Sequence, residues 1–216
     1  MHISSAIIAS TEVTDTLPLD RIFPDGHRPL EVDVGCGKGR FLLARAQAHP
    51  STNFLGIDRL MKRLRLVDAR IIRSNLSNVR LLYVDALYMV ASLLPAASVT
   101  AFYIFFPDPW PKRRHHRRRL FSPTFLDALD RTLLPDGQVN VATDHGDYFA
   151  EISKLLQRDP RFVEAPIFQP SEAERTHFEL TFMNVGAPIF RLAVRKRETR
   201  EQCQGSSVEG PKSDGK

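Results

Sequence analysis

The chain has 216 residues, which suits one medium domain with a sizeable core and leaves little room for a second of ordinary size. With 30 Lys and Arg against 25 Asp and Glu, the formal charge of +5 is too small to imply a polyanionic partner by itself, so such a partner has to be read from where the cations sit. Cys36 and Cys203 stand far apart and fit neither a disulfide framework nor a metal-ligand spacing. No run of about 18 apolar residues occurs, and the first residues (His2, Ser4, Glu12, Asp15) lack the build of a signal peptide. A reducing, cytoplasmic setting without membrane insertion is expected.

Residues 1–25 have some apolar character but no clear period, and read as an N-terminal extension to a domain over 26–197. Strands are expected at 30–34, 53–57, 79–84, 99–105 and 138–142, where apolar and β-branched residues lie between Gly, Pro, Asn or Asp. Helices are expected at 38–48, 60–74, 121–133 and 148–157, with apolar residues at three- and four-residue spacing and Pro50 and Pro135 after two of the ends. A sixth strand is expected at 162–166 and a seventh at 189–194, running into Arg195, Lys196 and Arg197. This alternation predicts an α/β fold, a seven-stranded, mostly parallel sheet with helices on both faces. Residues 198–216 hold too little apolar surface to offset the entropy of ordering and are expected to be a disordered polar tail.

The first strand ends in Asp33 and Val34 and runs into Gly35-Cys36-Gly37-Lys38-Gly39 before a helix, the place where an open α/β sheet binds a nucleotide. A dinucleotide fingerprint needs its third glycine at position 40, which is Arg, so the spacing departs from that of dehydrogenases. It resembles instead the first motif of the class I methyltransferases, whose ligand has no pyrophosphate. Asp58 closes the second strand, where a carboxylate can accept hydrogen bonds from ribose hydroxyls, and Asp85 closes the third, within reach of an adenine amino group. Each acid alone is as readily a cap or a strand-end residue. Their placement at successive strand ends favours one shared crevice.

The fourth strand leads into Phe105-Phe106-Pro107-Asp108-Pro109-Trp110-Pro111 and then Lys112, Arg113, Arg114, His115, His116, Arg117, Arg118 and Arg119. Three prolines restrict the backbone around Asp108 and Trp110, as suits a preorganised loop. A charge run is ordinarily a solvated face. Directly after a buried strand and a proline-clamped Asp, this one is a patch for RNA phosphates.

This segment resembles the signature of the tRNA (guanine-N7-)-methyltransferases, Phe-Phe-Pro-Asp-Pro-Trp followed by Lys and a basic stretch. The resemblance extends over Val32 to Gly39, Phe54 to Asp58, Asp85-Ala86, Ala142-Thr143-Asp144 and Thr176-His177-Phe178-Glu179. It implies a Rossmann-like class I methyltransferase fold of the bacterial type, S-adenosylmethionine as cofactor, no metal, and no obligatory second subunit, in a monomer or homodimer. Carried over by residue, it implies a cofactor site of Asp33, Gly35, Gly37, Asp58, Asp85 and Asp108, with Asp108 also catalytic. Lys112, Asp144, Thr176, His177, Phe178 and Glu179 would meet the target nucleotide, and Arg114, His115, His116, Arg117, Arg118 and Arg119 the tRNA. Two departures stand out: His177 replaces a Lys, and Leu180-Thr181-Phe182 follows Glu179 where the family has a nearby Arg-Gly. Asp33 is also often Glu.

Guanine N7 has a free lone pair, so transfer of a methyl group to it needs no general base, and positioning carries the rate. Asp108 and Asp144 are expected to accept hydrogen bonds from the guanine N1–H and exocyclic amine, with Trp110 or Phe178 stacking on the base. The rival readings are a methyltransferase for another substrate, which leaves the Arg run without a purpose, and a non-catalytic RNA-binding relative.

Overall fold

The computed structural model describes residues 5–8 and 16–198. Seven strands, β1 (Leu30–Val34), β2 (Asn53–Asp58), β3 (Val79–Tyr83), β4 (Val99–Phe105), β5 (Leu133–Thr143), β6 (Phe162–Glu164) and β7 (Phe190–Lys196), form one sheet in the order β3-β2-β1-β4-β5-β7-β6. The strands β1 to β5 pair parallel with one another, whereas β7 runs antiparallel to both β5 and β6. The order reverses between β1 and β4, which opens a crevice at the C-terminal ends of those strands. The helices are α1 (Leu19–Ile22), α2 (Arg40–Ala48), α3 (Met61–Arg73), α4 (Ala86–Tyr88), α5 (Pro123–Thr132), α6 (Gly146–Arg158) and α7 (His177–Asn184).

Alternation along the strands builds two cores, one on each face of the sheet. Phe102 and Ile104 of β4 pack with Phe125 and Leu129 of α5 and Tyr148 and Ile152 of α6. On the other face Phe54 and Leu81 pack with Leu42 of α2 and Leu64, Val67 and Ile71 of α3, while Tyr103 and Phe105 pack with Phe41 of α2. Gly56 sets the closeness of α2, because a Cβ there would fall 2.4 Å from the Leu42 methyl.

The expected strands and four long helices are present, with ends shifted by local chemistry. Gly39, left-handed at φ 69°, delays α2 to Arg40. Ser122 caps α5 by accepting from the Phe125 N–H, and Pro123 opens its first turn. The fifth strand begins at Leu133 rather than 138, since Leu133 pairs with Val99 before the chain loops out and resumes pairing at Gln138 with Ala101. Four elements were not expected: α1; α4, which continues as a π-helical turn over Met89–Leu93; a 3-10 segment over Arg113–Arg118; and α7. The first three are too short to show a period, and α7 buries one residue, Glu179.

Within the N-terminal extension, residues 5–8 extend the sheet. Ile8 N–H donates to the Leu81 carbonyl and Leu81 N–H to the Ala6 carbonyl, covering part of the β3 edge. Apart from Glu198, the expected tail over 198–216 lies outside the described residues.

Candidate active site

The turn after β1 is built for close approach. Gly35, Gly37 and Gly39 all have positive φ (81°, 55° and 69°), which a side chain would strain. A Cβ on Gly35 would meet no protein atom within 4 Å, so the space above it is open to a ligand. Asp58 braces the turn from β2: one carboxylate oxygen accepts from Gly37 N–H at 3.0 Å, and the other from Leu60 N–H at 2.8 Å. Arg63 adds a longer contact at 3.5 Å.

Asp33 is buried at the end of β1, and among the described residues no donor meets its carboxyl. Burial, and then the charge of Asp58, push its pKa up to about 8. A buried carboxyl without a partner beside an open glycine turn fits a ligand that brings its own ammonium group. Asp85 caps α4 by accepting from the Leu87 and Tyr88 N–H groups and faces Arg59 at 3.8 Å. Arg59, Asp85, Trp110 and Arg118 line a cleft of about 470 Å³.

Asp108 follows β4 and Asp144 follows β5, the neighbouring strand, and the Phe106 N–H ties the two ends together through the Ala142 carbonyl at 2.7 Å. Around exposed Asp108 the backbone is left-handed at two residues with side chains, Phe106 (φ 54°) and Trp110 (φ 43°). Each costs of order 1–3 kcal/mol and persists only where surroundings enforce it. The enforcing group is Arg119, whose Nε donates to the Pro109 carbonyl at 2.8 Å while its guanidinium pairs with Glu151 and lies over the Tyr148 ring.

Arg119 is therefore a correction to the expected RNA contacts: it is buried and committed to the loop, and is not part of the outward patch. Lys112, Arg114, Arg117 and Arg118 are exposed, and Arg118 stacks over Trp110. His115 meets Trp110 edge-on, and the Nε2 of half-buried His116 is enclosed without a partner.

Thr176 caps α7 by accepting from the Glu179 N–H, leaving His177 and Phe178 exposed toward solvent. Glu179 is the second correction. Its carboxylate turns inward to an ion pair with Arg191 on β7, and the Arg191 guanidinium lies 6.0 Å from the Phe105 ring. It is not presented to a nucleotide.

Sequence reasoning missed Arg59, although it directly follows Asp58, and missed Arg191, whose pairing across β7 leaves no local signal. It also missed the clamp on the chain before α7. Arg45 of α2 joins Glu31 to Glu174, and Arg40 donates to the carbonyls of Arg175 and Glu172.

Residues 27–192 match the profile of a methyltransferase family, Methyltransf_4. The tRNA (guanine-N(7)-)-methyltransferase of Rubrobacter xylanophilus is 39% identical over 64% of this chain and 62% of its own length. Those of Alkalilimnicola ehrlichii (35% identity; 84% and 78% covered) and Leifsonia xyli subsp. xyli (38%; 83% and 81%) align further. Among solved structures, the 16S rRNA methyltransferase KamB superposes with a TM-score of 0.59 at 17% identity, covering 79% of this chain and 88% of that one. TrmN of Thermus thermophilus gives 0.56 at 21%, covering 79% and 45%. These two establish the class I methyltransferase fold, and the sequence relatives establish more: this chain belongs to the tRNA (guanine-N(7)-)-methyltransferase family.

Proposed function

We propose that this protein transfers the methyl group of S-adenosylmethionine to N7 of a guanine in tRNA. The observation that carries this reading is the meeting of two halves in one cleft, where Asp85 and Arg59 from the cofactor side share a wall with Trp110 and Arg118 from the cationic side. The bound cofactor supplies an electrophilic methyl on a sulfonium. Everything else is positioning by the chain.

Asp33 accepts the cofactor ammonium, Gly35 and Gly37 give the close backbone wall, and the second lone pairs of the Asp58 oxygens receive the ribose hydroxyls. Asp85 takes the adenine amino group through the oxygen its cap leaves free, and Asp108 borders the reacting end. Asp108 and Asp144 accept from the guanine N1–H and exocyclic amine, which turns N7 toward the methyl and stabilises the positive charge that grows on the ring. Lys112, Thr176, His177 and Phe178 hold the nucleotide, with Phe178 or Trp110 stacked on the base. Arg114, Arg117 and Arg118 meet phosphates, with His115 backing Trp110. Residues 26–197 form the catalytic domain. The enzyme works in the cytoplasm as a monomer or homodimer without a second kind of subunit; among the described residues no helix is long and apolar enough to cross a membrane.

The test is transfer of labelled methyl to unmodified tRNA, followed by reduction and aniline cleavage, which breaks the chain at 7-methylguanosine. Cleavage at one position is expected. Label without cleavage overturns the N7 assignment, and absence of label despite binding of S-adenosylhomocysteine favours a non-catalytic relative.

A further inference from the structure

Hydrogen bonds link the three segments that carry Lys38, Arg70 and His177 into one rim beside the glycine turn. Arg70 donates to the Lys38 carbonyl at 2.8 Å and so ties α3 to the glycine turn. Two residues after Lys38, Arg40 donates to the Arg175 carbonyl at 2.9 Å, tying that turn to the chain that enters α7 at His177. The three side chains are exposed. Five acids on the surrounding elements are engaged elsewhere, Asp58 with Arg63, Asp85 with Arg59, Asp68 with Ser5 and the Ala6 N–H, Glu174 with Arg45, and Glu179 with Arg191, while Glu172, whose carbonyl receives Arg40, is exposed. Burial, and then the charges of Lys38, Arg40 and Arg70, hold the His177 imidazole below its ordinary pKa, so the positive charge beside it is that of the Lys and Arg side chains. Like charges gathered together repel, and an oxyanion between them relieves that repulsion.

We propose that Lys38, Arg70 and His177 form a phosphate site that takes one backbone phosphodiester of the tRNA beside the target nucleotide. The proposal rests on tRNA being the substrate. It gives His177 a place in the motif where the family has Lys: the positive charge is shared by Lys38 and Arg70, which reach the same rim from other elements. The site lies next to Thr176 and Phe178, so the phosphate it holds belongs to the flipped nucleotide or its neighbour. The cofactor carboxylate has the same oxyanion chemistry, and Lys38 sits in the turn that approaches the cofactor, so the test must separate the two.

Two variants do so. In Lys38→Gln/Arg70→Gln the charges are removed while Gln at position 70 keeps a donor for the Lys38 carbonyl; His177→Lys adds a permanent charge. Binding of unmodified tRNA is measured across a salt series, and binding of S-adenosylhomocysteine by calorimetry. The double variant is expected to bind tRNA about tenfold more weakly, with a log–log salt slope shallower by roughly 0.7–0.9, the loss of one phosphate contact. His177→Lys is expected to bind tRNA several-fold more tightly. Affinity for S-adenosylhomocysteine stays unchanged in both. Wild-type tRNA affinity and slope in both variants overturn the site. Loss of S-adenosylhomocysteine affinity with tRNA binding intact also overturns it and assigns the cations to the cofactor carboxylate. A wild-type protein that binds no tRNA overturns the substrate reading first, and that result is distinct from either.

Discussion

The two halves of the cleft are built in different ways. On the cofactor side, β1, β2 and β3 each carry an acid at or just beyond the end, and Asp33, Asp58 and Asp85 are placed by those strands, with backbone N–H groups holding the last two. On the nucleotide side the parts are strained or held by arginine side chains. The Asp108 loop is left-handed at two residues with side chains and is held by Arg119, and α7 is pinned by Arg191 from the last strand. The first half is set by local motif, the second by buried ion pairs and clamps, so the second should fail more readily, and in ways that spare the first.

The largest effect expected from this contrast is at Arg191. Its removal in Arg191→Ala leaves Glu179 buried and unpaired, which costs about 3–5 kcal/mol of stability by denaturant unfolding. Arg191→Ala/Glu179→Ala should recover part of that loss, and a single variant as stable as wild type would show that the pair does not pin α7. Next is Asp144→Asn, for which single-turnover methylation at saturating tRNA should fall roughly 100-fold, with S-adenosylhomocysteine affinity unchanged. A normal rate removes Asp144 from the guanine contact.

Arg119→Ala releases the Pro109 carbonyl and is expected to lower the single-turnover rate about tenfold with little change in cofactor affinity, as a 1 Å misplacement can cost up to about 100-fold. Arg119→Lys, which keeps one donor, should recover part of the rate. Equal loss of cofactor binding would mean that the loop serves both halves. Of similar size is a pH effect on the other side. Because the Asp33 carboxyl titrates at about 8 in the free protein, an ammonium must displace its proton, so cofactor affinity should rise close to tenfold per unit between pH 6 and 7.5. Asp33→Asn should flatten this profile. The sign for stability is opposite: the unfolded chain ionises Asp33 near its ordinary value, so the folded state loses stability as pH climbs toward 8, and Asp33→Asn should raise the Tm there. The smallest effect is that of Arg117→Ala, a few-fold rise in tRNA Kd that fades at high salt.

Legibility in the sequence followed the same division. The sheet, the glycine turn and the three strand-end acids could be read because strand alternation and glycine spacing are local signals. The Asp108 loop was legible as a motif, but Arg119, adjacent to exposed cations in the chain, gave no sign that it alone turns inward to Pro109 and Tyr148. Glu179 failed for the related reason that its partner is 12 residues away on another element. The helical character of α7 was hidden because most of its side chains face outward, leaving no apolar stripe.

Strand β7 comes last of the seven in the chain yet lies inside the sheet, between β5 and β6. During synthesis the cofactor half emerges first and its strands find one another in order, while β5 waits with an open edge until residues 190–196 leave the ribosome. A nascent chain halted before Phe190 therefore displays that edge and an unanchored Glu179, a client for chaperones rather than a catalyst. The molecule becomes competent for RNA only once its last strand has joined the sheet.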